Sequence, residues 1–318
     1  MRPSAIRRST TSGFVVGIDV GGTKTHLATS GGGVIVREQV VRTSTWRTRS
    51  TRQNAAALAG LVREHLGDEA LSLPLAVGAH GCDSTAQCVA LELELQEYVS
   101  APVRVVNDAE LMPWAMGVSG GIGVVSGTGS IAVARDERGR LMTAGGWGWI
   151  LGDEGGASGI VREAVRAVLA ELDRGLPPDP LTSRLLTSFG ATDGAELAMA
   201  LSMSSSADIW GGHAGEVFAA VDEGSTVAQR VVDEAGTQLA LLVERLLDRG
   251  VRTDQVVAGG AVIVAQPRLR DRFLDALKES RPGITVSILD RPPVVGAIAL
   301  AAAGSAHTTE FLTPEATS

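Results

Sequence analysis

Two stretches of the chain decide its fold: FVVGIDVGGTKTHLATS at residues 14–30 and GIGVVSGTGSIAVARD at residues 121–136. In each, an apolar run leads into a turn of glycine, threonine and serine, and alternating residues follow as a returning strand. This order is typical of a β-hairpin. A single glycine-rich hairpin indicates little, because turns use glycine in any case. Its repetition predicts a chain made of two related halves.

The tips of both hairpins have the composition of a phosphate-binding loop. Glycine lets backbone N–H groups approach an anion closely, and hydroxyls add donors with little bulk. Two such tips can hold one polyphosphate from opposite sides. The candidate phosphate-binding residues are Gly21, Gly22, Thr23, Lys24 and Thr25 in the first tip and Gly127, Thr128, Gly129 and Ser130 in the second. The alternative for each tip is a plain turn that binds no phosphate. For Lys24, a position facing solvent is as consistent with the sequence as a contact with phosphate.

Length and composition narrow the class of protein. A chain of 318 residues exceeds one ordinary core and predicts two domains. The net charge of −8 argues against nucleic acid as a partner, because that affinity comes from clusters of lysine and arginine. No apolar run reaches the roughly 18 residues of a membrane span, so we expect no membrane partner and a cytoplasmic location. The two cysteines, Cys82 and Cys88, form neither a disulfide framework nor a CxxC pair, and the histidines lack a zinc-ligand spacing.

Apolar periodicity predicts alternating strands and helices after each hairpin, which is the pattern of an α/β fold. In the first half the predictions are a third strand at 34–41, helices at 53–66, 86–97 and 111–116, and strands within 73–81 and 102–110. In the second half they are the hairpin at 121–135, a turn at 137–140, a tryptophan and glycine loop, a helix at 156–173, helical structure over 175–250, a strand before Gly259, a helix at 267–280, a strand within 283–289 and a final small-residue helix.

Five stretches resemble the actin, sugar kinase and Hsp70 superfamily. GIDVGGTKT is similar to the first phosphate loop, VVNDAE to the first connecting segment, GVVSGTGS to the second phosphate loop, VVAGGAV to the adenosine loop and VVGAIAL to the second connecting helix. The string GGWGWILGDEGG at residues 145–156 resembles the N-acetylglucosamine kinase branch, the BadF/BadG/BcrA/BcrD ATPase family. The resemblance covers about residues 13–304 and implies a ribonuclease H-like (actin-like ATPase) fold, with two duplicated α/β domains and a nucleotide cleft between them.

The resemblance also implies domain limits. We expect a disordered tail at 1–12, an N-terminal actin-like domain at 13–112 plus 292–306, a C-terminal one at 113–291 and a loose tail at 307–318. The chain departs from the family pattern at Val20, where a glycine is common, and at GDEGGA, where GDEGSG is common. It also reads RTSTW at 42–46, where relatives place an asparagine beforehand, and this departure leaves the identity of the sugar open.

The resemblance assigns roles to individual residues. Asp19, at the end of a strand, would hold Mg²⁺, with a turn cap as the alternative. Asp108 would be the catalytic base, with an N-cap as the alternative. The implied sugar-binding residues are Trp46, Asn107, Asp108, Gly146, Trp147, Gly148 and Asp153, and the implied adenosine-binding residues are Gly259 and Gly260. Asn107 is also expected to orient the loop that carries Asp108. Core packing is the alternative for the tryptophans, and a plain turn for the two glycines.

The predicted activity is an ATP-dependent kinase that uses Mg²⁺ and phosphorylates the 6-hydroxyl of an amino sugar, with N-acetylglucosamine favoured and glucosamine or another amino sugar as the alternative. A homodimer is expected. The alternative from another class is the ATPase activator of a 2-hydroxyacyl-CoA dehydratase. Such activators hold an iron–sulfur cluster between subunits through a widely separated pair of cysteines, and the spacing of Cys82 and Cys88 does not match that pair. A sugar-sensing repressor of the ROK group would need an N-terminal helix-turn-helix, and only a dozen residues precede the first strand.

Overall fold

The computed structural model describes residues 13–203 and 206–310, with side chains up to residue 304. These residues divide into two compact units. Unit 1 consists of the described residues up to Ser119 together with those from Arg291 onward, and unit 2 consists of Gly120–Asp290. The sequence prediction placed the boundaries at 112/113 and 291/292. The predicted tail at 1–12 lies outside the described residues.

The elements alternate along the chain as an α/β protein requires. The strands are β1 (Phe14–Val20), β2 (Lys24–Gly31), β3 (Val34–Arg42), β4 (Leu75–Ala79), β5 (Val103–Val106), β6 (Ile122–Ser126), β7 (Ser130–Arg135), β8 (Leu141–Gly145), β9 (Gln255–Gly259) and β10 (Thr285–Ile288). The helices are α1 (Thr51–Leu66), α2 (Thr85–Gln96), α3 (Leu111–Ala115), α4 (Ala157–Asp173), α5 (Pro180–Phe189), α6 (Gly194–Met203), α7 (Ala207–Gly211), α8 (Ala214–Asp222), α9 (Thr226–Asp248), α10 (Ala261–Ala265), α11 (Pro267–Ser280) and α12 (Val294–Glu310).

Unit 1 is built on a five-stranded sheet of order β3-β2-β1-β4-β5. The first three strands form an antiparallel meander, and β4 and β5 run parallel to β1. Helix α12 returns to pack on this sheet, where Ala297 and Ala301 join Val15 and Ala76 in one apolar cluster. The helix extends to Glu310, so the predicted loose tail at 307–318 overlaps it for four residues and otherwise falls outside the described part.

Unit 2 repeats the arrangement in a sheet of order β10-β9-β6-β7-β8. Strands β6, β7 and β8 form the meander, and β9 and β10 run parallel to β6. The prediction of two related halves is thereby confirmed. The core of unit 2 gathers fully buried side chains from its helices, among them Ile160, Val243 and Phe273.

Most predicted elements lie within a few residues of the observed ones, but β8 was not predicted. Its sequence, LMTAG, contains one β-branched residue and no clear alternation, and only its third strand position is occupied by a strand former, Thr143. The strand exists because β7 offers it a complete antiparallel edge. Within the described residues, no helix has the length and apolar character needed to cross a bilayer.

Candidate functional site

The β1–β2 turn of unit 1 leaves two consecutive backbone donors free. Gly21 N donates to Lys24 O at 2.9 Å, and Thr43 N donates to Thr23 O at 2.9 Å, which fixes the turn from both sides. The amides of Gly22 and Thr23 have no acceptor among the described residues. Both residues are exposed. Adjacent free amides in a turn form a concave site for an anion.

The β6–β7 turn of unit 2 has the same property. Gly127 N donates to Gly129 O at 3.0 Å, and the first turn of α4 donates to the carbonyls of Gly127 and Thr128 through Ala157 N and Ser158 N, at 2.8 and 3.1 Å. The amides of Thr128 and Gly129 have no acceptor in the described part of the chain. Each unit therefore presents one amide pair at the equivalent position of its sheet.

The hydroxyls of the two turns are less available than the sequence suggested. The Thr25 hydroxyl is fully buried, lies 2.9 Å from the Thr43 hydroxyl and accepts from Trp46 Nε1 at 3.1 Å. Ser130 is also buried. In the structure both residues support their loops from inside, because alternation along the strand turns these side chains toward the core. Lys24 is exposed and pairs with no described carboxylate.

The carboxyl ends of the parallel strands of unit 1 bring three titratable groups to one edge. Asp19 lies near the end of β1, His80 follows β4, and Asp108 follows β5. His80 N donates to Val20 O at 2.8 Å, which continues the β1–β4 pairing beyond the strand. Open α/β sheets bind their ligands at this edge. The geometry therefore marks it as the candidate catalytic edge.

Asp19 fits the metal role that the resemblance implies. Its carboxylate accepts no hydrogen bond from the described residues, and burial, followed by the negative charge of Asp108, raises its pKa from 3.8 to about 7. A carboxylate so disfavoured as an anion gains from a cation beside it. The described residues hold no group of three or more histidine, cysteine or acidic side chains that could bind a metal alone, so Mg²⁺ would take further ligands from phosphate and water.

Asp108 is free for chemistry because its neighbour performs the capping. Asn107 Oδ1 accepts from Ala109 N at 2.9 Å, and Glu110 Oε1 accepts from Asn107 N at 2.9 Å, which together form a capping box. The N-cap of this turn is therefore Asn107, and Asp108 does not have the capping role that was its alternative. The Asp108 side chain stays 22% exposed, and its Oδ2 lies 3.5 Å from His80 Nδ1.

Asn107 is engaged inside unit 1, and its predicted sugar contact stays a prediction. It is 1% exposed, and its Nδ2 donates to Cys82 O at 3.2 Å and to Asp83 Oδ1 at 3.0 Å. All the polar atoms of the side chain are thus used inside unit 1. In this structure Asn107 positions the loop that carries Asp108.

His80 is a site residue that the sequence analysis missed. The hydrogen bond to Asp108 raises the pKa of His80, and burial opposes this shift. Arg47 in turn donates to the His80 carbonyl at 2.5 Å. The available signal was the position of His80 directly after the buried strand β4, at the same end of the sheet as Asp19 near the end of β1 and Asp108 just beyond β5. His80 is a positioning residue, because it contacts Asp108 and holds it from the β4 side.

The tryptophan loop of unit 2 divides its two indoles between solvent and core. Trp147 is 75% exposed, whereas Trp149 packs edge-on against Trp210 with ring centroids 4.7 Å apart. Arg162 holds the loop by donating to the carbonyls of Trp149 and Gly152. Gly146 and Gly148, on either side of Trp147, both have positive φ. The exposed ring of Trp147 stays a candidate ligand surface, and Arg162 is a second positioning residue that the sequence analysis missed.

Asp153 holds the second phosphate loop and the tryptophan loop together. It is 8% exposed, adopts φ 61° and accepts hydrogen bonds from the backbone N–H groups of Ser130 and Gly148. Burial raises its pKa, and these two hydrogen bonds oppose the shift. The predicted contact with sugar hydroxyls stays a prediction. The structure adds a role that the sequence did not indicate, that of a buried acceptor between two loops.

Gly259 and Gly260 end β9 beside the second phosphate loop. Gly260 has φ 106°, and a Cβ there would lie 2.3 Å from Ser126 O. Only glycine permits this approach. The plain-turn alternative thus accounts for Gly260 by itself, and its contact with adenosine stays a prediction.

Substitution of alanine for selected turn glycines should weaken ATP binding without lowering the stability of the fold. A Cβ at Gly22 would meet only the His80 ring at 3.7 Å, and one at Gly127 would meet nothing within 4 Å. We expect both variants to keep the wild-type Tm and to bind ATP about tenfold or more weakly, because the methyl group stands where phosphate approaches. Isothermal calorimetry with ATP measures this. Gly120→Ala, which adds a methyl group in open space outside both turns, is the matched control.

Gly129→Ala should behave differently, because its Cβ would lie 2.6 Å from Asp153 Oδ2. We expect a lower Tm as well as weaker ATP binding. Unchanged ATP affinity in folded Gly22→Ala or Gly127→Ala would show that the corresponding loop is only a turn.

Replacement of Asp153 should lower the stability of unit 2, whether or not Asp153 also contacts the sugar. We expect Asp153→Ala to lower the free energy of unfolding by about 2–4 kcal/mol, because two buried N–H groups lose their acceptor. Asp153→Asn keeps one acceptor oxygen and should lose about half as much. Thermal unfolding measures both, with the neighbouring Glu154→Gln as control. If Asp153→Ala unfolds like the wild type, the two hydrogen bonds carry no stability.

The comparisons with known proteins agree with this geometry. A model of the BadF/BadG/BcrA/BcrD ATPase family matches residues 16–302. Over 300 residues the chain is 29% identical to the N-acetylmuramic acid/N-acetylglucosamine kinase of Clostridium acetobutylicum, covering 91% of this chain and 98% of that one.

Two solved structures share the fold. They are proteins of Chromobacterium violaceum and Porphyromonas gingivalis that are each proposed to be an N-acetylglucosamine kinase. Both have a TM-score of 0.64 and 21% identity, and the matches cover 91% and 92% of this chain and 98% and 99% of theirs. They confirm the predicted actin-like ATPase fold. Because the family model extends from β1 into α12 and includes both glycine turns and the tryptophan loop, the chain belongs to the BadF/BadG/BcrA/BcrD ATPase family.

Proposed function

We propose that the protein is an ATP-dependent kinase that phosphorylates the 6-hydroxyl of N-acetylglucosamine. The observation that carries the proposal is Asp108, a partly exposed carboxylate at the catalytic edge whose capping duty is taken by Asn107. A carboxylate in that state can accept the proton of a substrate hydroxyl. The kinase of Clostridium acetobutylicum, similar over most of the chain, supports an amino sugar as acceptor.

In the proposed reaction the sugar hydroxyl oxygen bonds to the γ-phosphorus of ATP as the bond to the β,γ-bridging oxygen breaks. Asp108 takes the hydroxyl proton, and ADP leaves with the bridging oxygen. In each unit taken by itself, the free amide pair is a proposed contact for phosphate oxygens: Gly22 and Thr23 in unit 1, and Thr128 and Gly129 in unit 2. Asp19 would hold Mg²⁺, which when bound would supply positive charge against the phosphates.

Within this proposal His80 orients Asp108, and the Trp147 loop contacts the sugar. The predicted homodimer and cytoplasmic location belong to the same proposal, and analytical ultracentrifugation tests the first of them. Trp46 donates to the Thr25 hydroxyl within unit 1. It ends the stretch RTSTW, before which relatives commonly have an asparagine, and this departure leaves the identity of the acceptor sugar open. Glucosamine therefore stays as the alternative acceptor.

The test is ADP release, coupled to NADH oxidation, with N-acetylglucosamine, glucosamine and 6-deoxy-N-acetylglucosamine. We expect turnover with the first sugar and none above background with the third, which lacks the acceptor hydroxyl. Phosphorus NMR of the product should place the phosphate on C6. Equal ADP release with the 6-deoxy sugar would indicate an ATPase and contradict the proposal.

A further inference from the structure

A cavity of about 420 Å³ opens at the catalytic edge of unit 1, between the ends of β1 and β4 and the start of α1. Its lining includes Trp46, Arg47, Arg49 and His80. No aspartate or glutamate is among the described residues that line it. In a chain of net charge −8, a cavity with two arginines and no carboxylate is suited to an anion.

Arg47 is the central cation of this cavity. It is partly buried, and one of its terminal nitrogens donates to the His80 carbonyl. Within the described residues it forms no ion pair, although a guanidinium carries five N–H donors. A partly desolvated guanidinium with unused donors binds a carboxylate strongly, because two parallel N–H···O bonds match its fork. Arg49, exposed at the rim and also without a described ion pair, adds a second positive charge.

Two acidic side chains near His80 and Cys82 contact groups other than Arg47. Asp83 accepts from the Asn107 amide at 3.0 Å, and Asp108 lies 3.5 Å from the His80 ring. The first residue of α1, Thr51, also lines the cavity, so the positive end of a 16-residue helix faces the same region. Arg47 therefore has no counterion within 4.0 Å among the residues that the structure describes.

We propose that Arg47, assisted by Arg49, is a subsite for a carboxylate that is part of the acceptor sugar. The link to the reaction is short, because Arg47 bonds the backbone of His80 and the ring of His80 contacts Asp108. Trp46 adds an apolar surface to the same wall. The ligand class is an amino sugar with an acidic substituent. This inference rests on the proposed kinase activity and adds a determinant of specificity to it.

The test compares two acceptors that differ by one acidic group, N-acetylglucosamine and its lactyl ether N-acetylmuramic acid. We expect the wild type to use both. In Arg47→Gln the ratio of kcat/KM for the acidic sugar to that for the neutral sugar should fall about 10- to 100-fold, the worth of a charge-assisted pair of hydrogen bonds. Arg47→Lys should give an intermediate ratio. Arg52→Gln, on the exposed face of α1 and outside the cavity lining, should leave the ratio unchanged.

The ratio is the diagnostic quantity, since any disturbance of His80 lowers turnover with both sugars equally. An unchanged ratio in Arg47→Gln overturns the subsite. So does a wild type that phosphorylates N-acetylglucosamine but neither phosphorylates nor binds N-acetylmuramic acid, and in that case the proposed function stands.

If the wild type phosphorylates neither sugar, the proposed function fails, and calorimetry without ATP decides the subsite. Tighter binding of the acidic sugar that is lost in Arg47→Gln would support it. Equal affinities, or no binding of either sugar, would overturn it. D-lactate alone is the control for a free carboxylate, and binding of lactate as tight as that of the acidic sugar would show a general anion site and overturn the assignment to the acceptor.

Discussion

Asp108→Asn should lower kcat by about a hundredfold or more and leave the KM for the sugar within about threefold. The amide has the shape of the carboxylate but cannot accept the proton of the attacking hydroxyl. Asn107, which caps the following turn, is untouched, so the loop should keep its conformation. Steady-state ADP release at saturating ATP measures both constants.

Asp68→Asn is the matched control, because Asp68 is an exposed carboxylate of unit 1 whose one ion pair within the described part of the chain is with Arg63. It should have wild-type kinetics. Near-wild-type turnover of Asp108→Asn, in a sample whose Tm equals that of the wild type, would remove Asp108 from the role of base. The kinase proposal would then lose the observation that carries it.

Asp19→Asn should have opposite effects on activity and stability. We expect kcat to fall by about a hundredfold or more, because the carboxylate proposed to hold Mg²⁺ is lost. We also expect the metal-free variant to be more stable than the wild type at pH 8, by about 1–3 kcal/mol, because a carboxylate disfavoured by burial and by Asp108 is replaced with a neutral amide.

The pH dependence of this gain follows from the pKa of Asp19, which is about 7 in the folded protein against a usual 3.8. Between these values the folded state keeps a proton that the unfolded state has released, so the stability of the wild type falls as the pH rises through this window. Asparagine does not titrate. The advantage of Asp19→Asn should therefore be absent near pH 4, grow up to pH 7 and stay constant above it.

Thermal unfolding in EDTA at pH 4.5, 6 and 8 measures the gain, and repetition with Mg²⁺ and ATP measures the metal role. Mg²⁺ with ATP should raise the Tm of the wild type more than that of the variant. A variant less stable than the wild type at pH 8 without metal would show that Asp19 supports the fold. Unchanged kcat would remove the metal role.

Much of the fold could be predicted because its signals are local. The hairpins, the helix at Pro267–Ser280 and the strands before His80 and Asn107 each carry their own periodicity and their own end signals. Strand β8 could not be predicted in this way, because its pairing with β7 and not its own composition makes it a strand.

The candidate site divides in a similar way. Asp19 and Asp108 could be identified as candidates, since each is a polar residue at or just beyond the end of an apolar run that is visible in the sequence. His80 stands in the same position after β4 but was missed, because without the sheet order nothing shows that β4 lies between β1 and β5. Arg162 could not be found, since it reaches the tryptophan loop from the middle of a helix.

The sequence by itself determined the two related halves, the glycine turns and the chemical types of residue at the strand ends, because these depend on neighbours along the chain. Only the tertiary structure decided which of those groups are free to act. It buries the Thr25 hydroxyl with Thr43 and Trp46 and engages Asp153 with the Ser130 amide. Among the described residues it leaves the Asp19 carboxylate and the Gly22 amide without a hydrogen-bond partner, and Arg47 without an ion pair. The physical reason is that hydrogen-bond partners and burial come from residues distant in sequence, and a polar group left unpaired by them is one that a ligand can bind.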